Sequence, residues 1–171
     1  VLKMTIISTS SSTSTTNHSV IIYYASTSDG DGRMQHTYCS GFDAYGYYHL
    51  PFRSTSTTDL KDRLPTTYQN TPIYGPTLIK IADSWTNLWD GTIDSTLFDA
   101  ELYNDNTSNN FYTGTKSDGT YSGYSCSDWT ADGSSNYGTT GSFNVKDSSL
   151  WIDNGTETCN QSNLYLCFKF K

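Results

Sequence analysis

Short apolar runs, separated by polar and glycine-rich turns, recur along the chain. The run Val20–Ala25 is continuously apolar, which predicts a strand buried on both faces. Further short runs predict strands at 77–82, 111–115, around Trp129, 149–152 and 163–170. Strands of this length joined by long polar loops are typical of a loop-rich, mostly antiparallel sheet.

Helical spacing is confined to the first part of the chain. In residues 33–45, apolar side chains recur at about every third or fourth position beside Cys39, which predicts a helix. A second short helix is predicted at 58–64, because Asp59 lies near its start and Pro65 stops it. The pattern therefore favours an α+β domain, with one or two helices packed on the sheet.

The chain divides into two parts of different composition. Residues 1–19 are rich in Ser and Thr, which is typical of a flexible linker or of a segment from an oligomeric stalk. Residues 20–171 contain most of the apolar runs and have the length of one domain. A stalk would imply a homotrimer assembled through residues 5–25.

Aromatic residues and cysteines compensate for a small aliphatic content. Leu, Ile, Val and Phe number only 30 of 171 residues, a fraction that by itself is typical of disordered chains. The 25 aromatic residues bury large areas, however, and four cysteines can add covalent stability. We therefore expect a folded domain in which disulfides supplement the core.

The four cysteines favour disulfides over a zinc site, since their number is even and they form no C-x-x-C pair. Four cysteines allow three pairings. In the last predicted strand Cys167 points away from the face shared by Leu164, Leu166, Phe168 and Phe170. The predicted helix carrying Cys39 would cover Cys167, which favours the nested pairs Cys39–Cys167 and Cys126–Cys159. Disulfides indicate a secreted or cell-surface protein.

Acidic residues dominate the charge, and the formal net charge is −7. Residues 81–115 contain six carboxylates and neither Lys nor Arg. Such a field repels nucleic acid, anionic membranes and sulfated polysaccharides, so these partners are disfavoured. The sequence has no apolar run long enough to span a membrane, so no membrane insertion is expected.

Several motifs follow one another in a recognisable order. They are Cys39, Trp85-Thr-Asn-Leu-Trp-Asp-Gly91, Tyr112-Thr-Gly-Thr-Lys-Ser-Asp-Gly119, Cys126-Ser-Asp-Trp129, Cys159 and Leu166-Cys167-Phe168. This set, spread over residues 20–171, resembles the endostatin-like branch of the C-type lectin-like fold. Bacterial surface and fibre-tip proteins carry similar domains. The resemblance implies the same nested disulfides.

Three departures limit what the resemblance implies. Endostatin binds heparin through a basic surface, whereas this chain is acidic. His18, His36 and His49 are scattered, so endostatin's zinc site of clustered His does not carry over. Calcium-dependent lectins use a Glu-Pro-Asn or Gln-Pro-Asp triplet, which this sequence lacks, and Trp151-Ile-Asp-Asn154 only loosely matches their Trp-Asn-Asp. We therefore expect no metal and no other cofactor.

Aromatic residues in loops are the first candidate binding residues. Tyr121, Tyr124 and Tyr137 lie in loops rich in Gly, Ser and Asn, where exposed rings stack on sugars or anchor a protein partner. An equally good interpretation is that they cover a core poor in aliphatic residues. Trp129 belongs to the candidate set, although the tryptophans as a group fit the core better: Trp85, Trp89, Trp129 and Trp151.

Asp153 and Asn154 are the second candidates, because with Glu157 they offer oxygen ligands to Ca²⁺. A tight turn at Asp-Asn-Gly is favoured over a calcium site, since Ca²⁺ needs six or more oxygens.

Catalysis has little support, because no His neighbours a Ser or Cys nucleophile. The sequence therefore favours a non-enzymatic recognition module, an adhesin or fibre tip that binds a cell-surface glycan or protein. A structural cap or trimerisation domain is the alternative.

Overall fold

A computed structural model describes residues 19–25, 39–102 and 109–171. Within these ranges nine strands form one mixed sheet. They are β1 Val20–Ala25, β2 Gly41–Phe42, β3 Tyr48–Pro51, β4 Ile73–Tyr74, β5 Lys80–Ala82, β6 Asn110–Tyr112, β7 Tyr137–Ser142, β8 Thr156–Thr158 and β9 Leu164–Phe170. Helical structure in the same ranges is limited to 3₁₀ turns at Leu60–Asp62, Thr66–Tyr68, Thr86–Trp89 and Ser149–Trp151, and one turn at Cys126–Trp129. A mixed sheet with few helices is compatible with the predicted α+β class.

The strand β9 lies at the centre of the sheet, whose order is β5-β4-β1-β9-β6-β7-β8. The strand β3 also pairs with β9, on the same side as β6, and carries β2 at its outer edge. The pairs β1–β4 and β6–β9 are parallel, whereas the remaining pairs are antiparallel. The final strand therefore joins both halves of the sheet.

Alternation along β9 divides the interior into separate layers, as predicted. Leu166, Phe168 and Phe170 belong to the main core, and Leu164 packs against it. On the opposite face Tyr165 belongs to a smaller cluster and Cys167 packs beside Tyr23. In β1, by contrast, only one face is deeply buried, and the prediction of burial on both faces is wrong for Ile21 and Tyr23.

The tryptophans lie in the core, as favoured from the sequence. Trp85, Trp129 and Trp151 are each at most 1% exposed, and Trp89 is partly buried against the main cluster. Phe52 packs edge-on against Trp85, with ring centroids 5.9 Å apart. Aromatic rings therefore supply much of the packing that the small aliphatic content leaves open.

The cysteines form the two nested disulfides, Cys39–Cys167 and Cys126–Cys159. The predicted pairing is confirmed, and the two bonds indicate an oxidising environment. In the parts of the chain that the structure describes, no helix has the length and apolar character needed to cross a membrane.

The predicted helix at 33–45 is wrong over its described part. Gly41–Phe42 is a strand, and the Asp43 carboxylate accepts hydrogen bonds from the backbone N–H groups of Tyr45 (2.8 Å) and Tyr47 (2.9 Å). This Asp-centred turn, together with a φ of +120° at Gly41, overrides the spacing of the apolar residues. Residues 33–38 lie outside the described ranges.

Other predicted elements are shortened or replaced. The helix at 58–64 is only the 3₁₀ turn Leu60–Asp62, and the strand at 77–82 begins at Lys80 because Leu78 has a φ of +65°. The strands predicted at 149–152 and around Trp129 are wrong, since helical turns occupy both positions. The strand β7 was not predicted, because its sequence Tyr-Gly-Thr-Thr-Gly-Ser has almost no apolar residues.

Removing the Cys39–Cys167 bond, by Cys39→Ser with Cys167→Ser, is expected to destabilise the fold more than removing Cys126–Cys159 in the same way. The bonds join residues 128 and 33 positions apart. Loop-closure entropy then assigns them about 5 and 4 kcal/mol, since the longer loop restricts the unfolded chain more. Denaturant unfolding followed by tryptophan fluorescence measures both losses. Equal losses would contradict the ranking. The unmodified protein, when both disulfides are reduced, should have a lower free energy of unfolding than either variant.

Candidate functional site

A cleft of about 290 Å³ lies where the loop before Cys126 meets the turn Cys126–Trp129 and the start of β7. Three tyrosines line the cleft: Tyr121, Tyr124 and Tyr137. Tyr124 is 51% exposed and Tyr137 is 48% exposed, whereas Tyr121 is half-buried. The structure therefore brings together the three tyrosines that the sequence identified as candidates.

The turn at one wall of the cleft is left-handed. The φ angles of Cys126, Ser127, Asp128 and Trp129 are 51°, 55°, 53° and 66°. A left-handed conformation costs an L-residue roughly 1–2 kcal/mol. Ser125 holds the turn from both sides, because its carbonyl accepts the Trp129 N–H (2.7 Å) and its hydroxyl oxygen accepts the Asp128 N–H (3.0 Å). Strain of this kind, held by surrounding structure, is typical of functional sites.

Trp129 supports the cleft from below and does not line it. Its indole N–H donates to the Ser54 carbonyl at 2.8 Å, and its ring packs against Tyr112 and Tyr165. The disulfide to Cys159 fixes the other end of the same turn. This burial leaves Tyr124 and Tyr137 as the exposed rings of the candidate set, with Tyr121 half-buried.

Asp128 gives the cleft a negative charge. Its carboxylate accepts hydrogen bonds from the Ser56 N–H (2.8 Å), the Ser56 hydroxyl (2.5 Å) and the Ser125 hydroxyl (3.1 Å). These bonds, that of the Ser56 hydroxyl first, lower the pKa of Asp128 below its ordinary value of 3.8. The carboxylate is therefore ionised at neutral pH and joins the turn to the loop after β3.

The opposite wall is formed by the segment that leads into β7. The Ser127 hydroxyl donates to the Asn136 side-chain oxygen at 3.0 Å, and the Thr139 N–H donates to the Tyr124 carbonyl at 3.0 Å. A Cβ atom on Gly138 would lie 2.9 Å from the Tyr112 ring and 3.0 Å from the Cys126 sulfur, so a larger residue here would have to displace the ring or the disulfide. The disulfide and the start of β7 are therefore in close contact behind the cleft.

Asp153 and Asn154 lie away from the cleft. The Asn154 N–H donates to the Thr140 carbonyl at 2.7 Å, and Gly155 follows with a φ of +95°. Thr140 is three residues along β7 from Tyr137, about 10 Å at the rise of a strand. The Asp-Asn-Gly segment leads into β8 while hydrogen-bonded to Thr140, so the tight turn favoured from the sequence is not formed at these three residues.

The predicted oxygen ligand Glu157 is already engaged. Its carboxylate accepts hydrogen bonds from the side-chain amides of Asn110 (2.6 Å) and Asn163 (2.7 Å). Across residues 19–25, 39–102 and 109–171, no group of three or more His, Cys, Asp and Glu side chains is arranged to hold a metal ion.

The acidic stretch forms a small pocket of about 120 Å³ beside β5. Its carboxylates include Asp83 and Asp94, and Lys80 forms ion pairs with both, that to Asp94 at 2.9 Å. These partners, Asp83 first, raise the pKa of Lys80. Lys80 already neutralises part of the negative charge that would attract a bound cation, so this pocket is not a candidate site.

A chain of hydrogen bonds links the turn at 43–46 to β3 and β1, next to a third pocket of about 260 Å³. Because a carboxylate only accepts, His49 donates from Nε2 to Asp43 (3.0 Å), and its Nδ1 is hydrogen-bonded to the Tyr23 hydroxyl (2.6 Å). Burial, and then Asp43, raise the pKa of Tyr23 to about 12, which keeps the phenol neutral. The chain secures the turn at 43–46 to β1.

The polar residues of the cleft were missed in the sequence: Ser127, Asp128, Ser135 and Asn136. Asp128 and Ser127 occur in the motif Cys126-Ser-Asp-Trp129, which served only to support the family resemblance. A carboxylate two positions after a disulfide cysteine, between tyrosine-bearing loops, is the signal that could have identified Asp128.

Comparison with protein-family models and with curated proteins gives no match. The function is therefore argued from the chemistry of the cleft.

The substitution Asp128→Asn is expected to lower the free energy of unfolding at pH 7 by about 0.5–1.5 kcal/mol, because the amide replaces one of the accepting oxygens. The folded pKa of Asp128 lies below 3.8. The carboxylate's contribution is therefore complete above that value and is lost as the pH falls through the lowered pKa. Urea unfolding at pH 7 and at pH 2–3 measures the difference in free energy of unfolding between the variant and the unmodified protein. This difference should be smaller in acid.

The matched control is Asp132→Asn, which changes an exposed carboxylate four residues further along. It should leave the free energy of unfolding within about 0.5 kcal/mol of the unmodified protein. A difference for Asp128→Asn that is the same at both pH values would contradict the assigned role of the carboxylate.

Proposed function

We propose that this domain is a non-enzymatic extracellular recognition module that binds a neutral saccharide in the tyrosine cleft. The observation that carries the proposal is the convergence of Tyr121, Tyr124 and Tyr137 on one cleft beside Asp128 and Asn136. The faces of aromatic rings pack against the apolar faces of sugar rings, and hydroxyl, amide and carboxylate groups bind sugar hydroxyls.

The dimensions of the cleft favour a short ligand. Its volume of about 290 Å³ is at the lower end of the range of small-molecule sites. The exposed rings of Tyr124 and Tyr137 leave the cleft open to solvent on one side. A terminal sugar residue of a longer glycan fits this arrangement, with the rest of the glycan in solvent.

Charge favours neutral over acidic sugars. The ionised Asp128 carboxylate lines the cleft, and the chain as a whole carries a formal charge of −7. A sialic acid or a sulfated sugar would bring a like charge close to Asp128, which costs free energy. Neutral hexoses and amino sugars avoid this repulsion.

A binding function is favoured over catalysis by the composition of the cleft. Asp128 is the one carboxylate among the cleft-lining residues that the structure describes. Hydrolysis of a glycosidic bond normally requires two carboxyl groups on opposite sides of the scissile bond. All four cysteines are in disulfides, so none of them is a free nucleophile.

We further propose that the domain has the endostatin-like form of the C-type lectin-like fold. The nested disulfides, the terminal β9 at the centre of the sheet and the buried tryptophans of the resembling motifs support this proposal. The oxidising environment that the disulfides require supports a place in the secreted or cell-surface part of an adhesin or fibre.

The alternative, a structural cap or trimerisation domain, finds less support in the described contacts. It assigns residues 5–25 to contacts between chains. The strand β1 pairs with β4 on one edge and with β9 on the other, so its backbone groups are used within the domain. Residues 5–18 lie outside the described ranges.

Substitution of Tyr124→Ala or Tyr137→Ala is expected to weaken glycan binding about tenfold each, which corresponds to about 1.4 kcal/mol of lost ring packing. A glycan array of neutral and acidic sugars identifies the ligand, and calorimetry then compares the variants. Tyr137→Phe keeps the ring and should stay within about threefold. EDTA should leave binding unchanged, because a single carboxylate offers too few oxygens for Ca²⁺.

The control Tyr45→Ala removes an 81% exposed ring from the turn at 43–46, outside the cleft, and should bind normally. An array on which only acidic glycans bind, or a partner that proves to be a protein alone, would overturn the saccharide proposal. Equal losses for Tyr45→Ala and Tyr124→Ala would place binding elsewhere on the surface.

A further inference from the structure

A buried arginine, which has no charge partner among the described residues, lies close to the turn that forms the cleft. Arg53 follows β3 and is 1% exposed, which places it among the largest fully buried side chains. Its terminal nitrogens Nη1 and Nη2 are buried and have no hydrogen-bond partner in the described part of the chain. Fully buried arginine is rare in proteins unless it is paired.

The surroundings of Arg53 are positive or neutral. The guanidinium carbon lies 4.7 Å from the centre of the Trp129 ring. Arg63 lies nearby, and its Nε donates to the Arg53 carbonyl at 2.6 Å. The ion pairs formed among the described residues involve His49 and Lys80 and leave Arg53 out.

Burial alone does not neutralise Arg53. Desolvation lowers the pKa of its guanidinium, the nearby Tyr165 raises it and Arg63 lowers it, and together they bring the pKa to about 9. The group therefore remains a cation at neutral pH. Removing an unpaired charge from water costs more free energy than a cation–π contact returns.

A bound water would accept hydrogen bonds from the two nitrogens but would leave the charge unbalanced. A small anion would accept the same hydrogen bonds and would also balance the positive charge. Hydrogen bonds to a charged acceptor are stronger than those to a neutral one. We propose that Arg53 binds a halide-sized inorganic anion within the folded domain, enclosed beside Trp129. The anion site is distinct from the saccharide cleft and does not depend on the proposed function.

Thermal unfolding of the intact domain tests the proposal with bromide as the probe. Sodium bromide replaces sodium gluconate at constant ionic strength, so that general screening stays fixed. Because an anion that binds only the folded state stabilises it, the Tm should rise by about 3–6 °C for each tenfold increase in bromide above the Kd. A Tm that does not depend on bromide would overturn the proposal.

The variant Arg53→Met removes the charge and keeps a long apolar side chain. Its Tm should not respond to bromide, whereas the control Lys116→Met, which removes an exposed cation, should respond as the unmodified protein does. An equal response in Arg53→Met would assign the effect to another site and overturn the proposal.

Crystals of the unmodified protein soaked in bromide give a second measurement that does not require the variant to fold. An anomalous peak beside Nη1 and Nη2 of Arg53 is the expected result. A water molecule at this position in bromide, with no anomalous signal, would overturn the proposal.

Discussion

The last strand of the chain, β9, hydrogen-bonds to β1 along one edge and to β3 and β6 along the other. Its apolar residues fill the main core, and Tyr165 and Cys167 support the packing on the opposite face. The sheet therefore lacks its central strand until the seven residues of β9 have paired. The Cys39–Cys167 bond makes this contact between distant parts of the chain covalent, which matters in a domain whose aliphatic core is small.

The cleft depends on β9 through a short series of contacts. Tyr165 packs against Tyr112 and Trp129, with ring centroids 5.4 and 6.1 Å apart. Trp129 is the last residue of the left-handed turn, and the two residues before it, Ser127 and Asp128, line the cleft. A binding surface made of loops is thereby held by buried aromatic rings, and the cost of the left-handed conformation is offset by packing in the core.

Local patterns predicted part of this arrangement, and long-range contacts account for what they missed. The alternation around Cys167 depends only on the period of a strand, so the face on which Cys167 lies followed from it. The choice of Cys39 as its partner also assumed a covering helix at 33–45; the pairing is confirmed, although that helix is wrong over its described part. The left-handed turn depends on Ser56, 72 residues from Asp128, and on Cys159. No local pattern contains those partners, and the apolar Trp129 was therefore interpreted as part of a strand. The cleft tyrosines were predicted from the Gly- and Ser-rich sequence around them, although Tyr137 is the first residue of β7 and does not lie in a loop. Asp128 was missed, because its place after Cys126 becomes a signal only once that loop is known to lie beside the tyrosines.

Trp129 also connects the cleft with the buried arginine. Its ring lies over the Arg53 guanidinium, and its indole N–H donates a hydrogen bond to the carbonyl of Ser54, the residue after Arg53. Its backbone belongs to the turn that carries Asp128. If an anion at Arg53 sets the position of this ring, then it also biases the turn that shapes the saccharide cleft. Coupling between two binding sites is reciprocal. A saccharide that binds more tightly in the presence of bromide must therefore tighten bromide binding by the same factor.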